Sequence, residues 1–134
     1  MDKDQNELGI LGVLHFVMAG LAALAGSIPI VHLLIGLKMV SDPSFLSGGA
    51  GPPPPFNPGW VFVGVGAFAI LLGWSWAFVL VFAGLSLRSY RRYWFCFVVA
   101  CLTCLNVPLG TALGIFTILV LNRRSVKELF GVPA

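Results

Sequence analysis

"LNVPLGTALG", residues 105–114, lies within a charge-free run closed off by two basic clusters, Arg88, Arg91 and Arg92 before it and Arg123, Arg124 and Lys127 after it. As one straight helix, residues 93–122 would extend about 45 Å, against about 30 Å for the hydrocarbon core of a bilayer. Pro108 has no N–H to give to a carbonyl one turn back, and Asn106 just before it is a natural helix terminator. A single crossing would also leave one arginine cluster on the outer side, against the positive-inside tendency. The stretch therefore predicts a turn at 106–108 and a short helical hairpin over 88–122, with arms 88–105 and 108–122. Pro108 is expected in the first turn of the second arm, where its missing N–H costs nothing. Each arm is shorter than the roughly 20 residues a full crossing needs, so a re-entrant hairpin is the alternative. Snorkelling arginines and local thinning of the bilayer would make up part of the difference.

The rest of the chain fits the same setting. Of its 134 residues 58% are hydrophobic and 10% are charged, whereas a soluble domain carries about 25% charged residues. Residues 8–37, 43–87 and 93–122 contain no charged side chain. Charge-free apolar runs of about 18 residues or more read as membrane spans. The net charge of +3 comes from clusters beside these runs rather than from a basic face or stripe, which excludes a nucleic-acid footprint. "ALAG" at 23–26 offers a signal-peptidase-like site, but Asp2, Asp4 and Glu7 outweigh Lys3 where a signal peptide is positive. Retention of the segment is expected.

Residues 8–40 are too long for one straight crossing helix. Pro29, preceded by Gly26-Ser27, predicts a break, with a span over 8–28 and a kinked extension over 29–40. "SDPSFLSGGAGPPPPFNPG", 41–59, is a loop stiffened by the prolines 52–55. It reads as a spacer before it reads as a docking strip. A second span is expected over 60–86. Trp60 stands at one interface and Tyr90, Tyr93 and Trp94 at the other. Gly64, Gly66, Ala69 and Gly73 are expected to thin one side of this span for close helix packing. The sum is an all-α, single-domain four-helix transmembrane bundle. Both termini and the loop near 87–93 would lie in the cytosol, with the Pro-rich loop outside, because six of the eight Lys and Arg residues fall in that loop and the tail.

Few constellations could carry chemistry. Cys101 and Cys104 form "CLTC", which on a helix places both sulfurs on one side. A thiol oxidoreductase working with a quinone would need a second cysteine pair, and Cys96 is the one cysteine left. Packing is the plainer reading. His15 and His32 are ionisable residues inside an apolar segment and so candidates for function. They are 17 residues apart on one segment, so joint ligation of a haem would require a homodimer. A neutral imidazole bonded to nearby backbone is the simpler expectation. Gly110 and Gly114 form GxxxG, a close-approach motif, read here as packing within the bundle before association between chains. "SVKE", 125–128, matches a capping box with Ser125 and Glu128. No zinc spacing, phosphate loop or carboxylate pair is present, and no Asp or Glu falls within a span, which disfavours coupled transport.

"PLGTALGIFTILVLNRRSVKELF", 108–130, with "GLAALAGSIPIVHLLIGL", 20–37, resembles a loose group of small bacterial four-span membrane proteins without an assigned activity. The resemblance covers most of the chain apart from the Pro-rich loop. It implies a bacterial inner-membrane setting and brings no catalytic residues. The sequence thus predicts a non-enzymatic accessory or scaffold subunit, without cofactor or metal, that works as a homo-oligomer or within a larger membrane complex. A pore-forming or permeability-altering oligomer is the first alternative. His15, Ser27, Thr103, Asn106, Thr111 and Thr117 are its available polar lining. The thiol oxidoreductase is the second.

Overall fold

The computed structural model describes residues 2–45 and 55–133, and all regular structure among them is helical. The helices are α1 (Asp2–Ser27), α2 (Ile30–Ser41), α3 (Gly59–Arg88), α4 (Tyr93–Thr103), α5 (Leu109–Leu121) and α6 (Arg124–Leu129), with a 3-10 turn at Pro43–Phe45. Two stretches are long and apolar enough to cross a membrane: Lys3–Ser41, which contains α1 and α2, and Gly59–Arg88. Prolines 52–54 of the predicted spacer lie outside the described residues.

The chain divides into two compact units, Met1–Leu21 with Trp76–Ala134, and Ala22–Ser75. Both divisions fall inside a helix, between Leu21 and Ala22 of α1 and between Ser75 and Trp76 of α3.

In the second unit, α1 stops at Ser27, whose hydroxyl donates to Ala23 O at 2.8 Å. Ile28 and Pro29 form a turn, and α2 restarts at Ile30 with Leu33 N donating to Pro29 O at 3.0 Å. Pro29 breaks the helix because it cannot supply the i to i−4 bond. Asn57 opens α3. Its Oδ1 accepts from Gly59 N at 2.9 Å, and its Nδ2 donates to Met39 O at 3.0 Å, tying the start of α3 to the end of α2.

In the first unit, Leu8 and Leu11 of α1, Leu87 of α3, Tyr93 and Cys96 of α4, Leu113, Val120 and Leu121 of α5 and Val126 of α6 form one buried apolar cluster. Tyr93 Oη donates to Leu121 O at 3.1 Å. The expected hairpin is present as α4 and α5, with two differences. Arg88 belongs to α3, and α4 begins only at Tyr93, because Tyr90 (φ 52°) and Arg92 (φ 57°) take left-handed conformations that reverse the chain. The arms are therefore 11 and 13 residues, about 16 and 20 Å long. Pro108 caps α5 rather than occupying its first turn. At the tip, Thr111 Oγ1 donates to Cys104 O at 2.7 Å and Thr111 N to Asn106 O at 3.2 Å, so Thr111 partners two of the turn's carbonyls.

The capping box at 125–128 does not form. Helix α6 starts two residues earlier than that box requires, with Arg123 rather than Ser125 at the N-cap, and no side chain caps it. Gly131, at φ +67°, ends it, with Val132 N donating to Lys127 O at 3.0 Å.

Candidate functional site

The predicted glycines separate into two kinds. A Cβ on Gly66 would lie 3.0 Å from Leu33 N, and one on Gly73 would lie 2.5 Å from Gly26 Cα, so both mark closely packed backbones in the second unit. Gly64 has nothing within 4 Å and is exposed. Two residues from Gly66 is about 200° around a helix, so the two cannot share a face. Gly64 is therefore removed from the packing set.

Gly110 and Gly114 of α5 both face the first arm of the hairpin. A Cβ on Gly110 would lie 2.5 Å from Thr103 O, and one on Gly114 2.5 Å from both Ala100 O and Cys104 Sγ. The GxxxG lies inside the hairpin.

Sequence reading missed Gly12, Gly26, Gly36 and Gly84. A Cβ on Gly12 would lie 3.1 Å from Gly84 O, and one on Gly36 2.7 Å from Val63 N. A signal was present in the spacing. Gly12, Ala19 and Gly26 recur every seven residues, as do Gly66 and Gly73, and Ala77 and Gly84. Seven residues are nearly two full turns, so each set keeps one side of its helix thin.

His15 is 0% exposed. Its Nδ1 bonds Leu11 O at 2.9 Å, and since a carbonyl only accepts, Nδ1 carries the proton. In the neutral ring Nε2 presents a lone pair, and it has no hydrogen-bond partner among the described residues. A fully enclosed ring cannot share a ligand with a second copy. His32 lies in the second unit, exposed, beside Val61, Phe62 and Val65. No group of three or more His, Cys, Asp or Glu residues able to hold a metal occurs among the described residues.

All three cysteines are free thiols. Cys101 is exposed, Cys104 half-buried and Cys96 buried. The buried hydroxyls of Thr103 and Thr117 donate to Val99 O and Leu113 O in their own helices, each at 2.7 Å. They leave little polar surface for a pore lining.

The charged groups show more order. Arg123 Nη1 is 3.2 Å from Asp4 Oδ1 and 2.6 Å from Glu7 Oε2. Ser125 and then Arg123 hold the Asp4 carboxyl below its usual range. The stem of Arg88 lies against Gly12, 2.6 Å from where a Cβ would be. In the first unit, then, the start of α1, the α3–α4 turn and the α5–α6 junction gather at one end and carry seven of the eight Lys and Arg residues, all but Lys38. From that end a groove of about 390 Å³ opens further along the α1–α5 seam. It is lined by Leu14, Met18 and Leu21 of α1 and by Leu109, Ala112 and Phe116 of α5.

Comparison of this chain with known protein families, with characterised proteins and with solved structures finds no match.

Proposed function

We propose that the chain is a small non-enzymatic protein integral to a cell membrane, serving as an accessory or scaffold subunit of a homo-oligomer or a larger complex. Helices α1 and α3 cross the bilayer. The α4–α5 hairpin enters from the cytosolic side, both termini are cytosolic, and the 41–59 loop is external. The observation that carries this reading is the gathering of seven basic residues at one end of the first unit, since cationic residues concentrate on the cytosolic side. The large apolar side chains that α1 and α3 turn outward support it. Leu24 is 71% exposed and Leu71 67% exposed. Large apolar side chains exposed in such number suit lipid or a partner helix better than water. At about 16 and 20 Å, the hairpin arms are better suited to dipping than to crossing.

Reporter fusions in the 41–59 loop and at the carboxyl terminus test the topology. Opposite compartments are expected; a shared compartment would refute it. Cross-linking in native membranes followed by purification in mild detergent tests the subunit role. A stoichiometric partner or a defined homo-oligomer is expected, and a chain that stays monomeric at native abundance would end that reading.

A further inference from the structure

We propose that the α1–α5 seam binds one phospholipid whose headgroup pairs a phosphate with a primary ammonium, its acyl chain lying in the groove. The inference rests on the membrane orientation given above.

Depth is the first argument. The groove starts at Leu14 and Phe116, each seven residues from the charged groups, Glu7 on α1 and Arg123 on α5. Seven residues of helix are about 10 Å. The polar layer of one leaflet is about 5–8 Å thick, so the groove opens within the acyl region. It ends at Leu21 and Leu109, about 21 Å from the ion pair on α1, near the bilayer midplane. The groove therefore occupies the depth of a chain from a single leaflet.

Charge is the second argument. The same seam ends in one guanidinium held between two carboxylates, Arg123 between Asp4 and Glu7. The Arg123 side chain keeps 43% of its surface exposed. Its remaining N–H donors suit a phosphate, while the carboxylate side of the trio suits an ammonium that can donate hydrogen bonds. A purely anionic headgroup would meet two carboxylates, and a quaternary ammonium has no N–H to give. An incoming helix would satisfy the apolar groove but not this alternation of charge.

The test is native mass spectrometry of the full chain in mild detergent, titrated with dioleoyl-phosphatidylethanolamine or dioleoyl-phosphatidylcholine. One phosphatidylethanolamine per chain should persist at activation that strips phosphatidylcholine. Ala112 is exposed, so Ala112→Phe fills the groove without invading the core, and lipid retention should fall several-fold. Glu7→Gln keeps a hydrogen-bond acceptor for Arg123 and removes the charge. The preference for ethanolamine should fall about tenfold, the value of one charge-assisted hydrogen bond. Equal retention of the two lipids, or unchanged retention in Ala112→Phe, would overturn the proposal. So would a change of oligomeric mass without loss of lipid in Ala112→Phe, which would assign the groove to a second copy. Failure of the membrane reading itself shows separately, as chain recovered in the soluble fraction or fusions reporting one compartment.

Discussion

Gly26 and Gly73 meet backbone to backbone, with room for no carbon between them. A Cβ on Gly73 would fall 2.5 Å from Gly26 Cα, and one on Gly26 2.9 Å from Gly73 Cα. Gly73→Leu and Gly26→Leu must part α1 from α3 within the second unit, with a loss of about 1–3 kcal/mol. Gly64→Leu meets open space and should melt with wild type. Thermal unfolding in detergent checks the contrast; a Gly64 variant as unstable as the other two would contradict the assigned face.

The hairpin glycines give a sharper case. A Cβ on Gly114 would lie 2.5 Å from the Ala100 carbonyl, which is backbone and cannot swing aside. Gly114→Ala should therefore already lower the melting temperature, with Gly114→Leu worse. Because the contact lies within α4 and α5, the oligomeric mass on size-exclusion chromatography should not change. Loss of an oligomer at unchanged stability would point to an association face instead.

The thiols should separate by accessibility. In mild detergent, a maleimide reagent should label Cys101 readily and Cys104 more slowly, and Cys96 only after denaturation. Cys101→Ser combined with Cys104→Ser should retain fold and thermal stability, because neither sulfur bridges to another. A disulfide between the two that follows the redox state of the quinone pool would revive the oxidoreductase.

Acid should loosen the amino terminus. Ser125 and Arg123 hold the Asp4 carboxyl below its unfolded value. The stabilisation this supplies is complete above the unfolded pKa, about 4, and is lost as pH falls through the lower folded value. Protection against hydrogen exchange over residues 2–8, taken relative to the intrinsic rate at each pH, should fall on acidification below about pH 4, and Arg123→Gln should lower protection at neutral pH and flatten the dependence. Protection that stays constant with pH would remove the tie.

Much of the fold was legible because the bilayer argument depends only on where charge is absent. The break at Pro29 and the reversal near Pro108 follow from prolines, whereas α1 starts at Asp2, six residues before its charge-free run, and α3 extends to Arg88. What was not legible depends on a facing partner. Gly64 and Gly66 look alike in sequence, and only the position of Leu33 tells them apart. The pairing of Arg123 with Asp4 and Glu7 joins residues more than a hundred positions apart, and no local pattern announces it. The start of α4 moved to Tyr93 because two non-glycine residues adopt positive φ, a choice made by the packing of Tyr93 and Leu87 rather than by propensity.

The short hairpin also bears on how such a chain is made. Both ends of α4–α5 carry arginines, and the stretch between them contains no charge and partners the Cys104 and Asn106 carbonyls at its tip through Thr111. In the proposed orientation, such a segment would slide into the bilayer from the cytosolic side once α3 is in place, with no guanidinium carried through hydrocarbon. Folding of residues 89–133 would then be a matter of partitioning and docking, and Lys38 and the 41–59 loop would be the polar parts carried across.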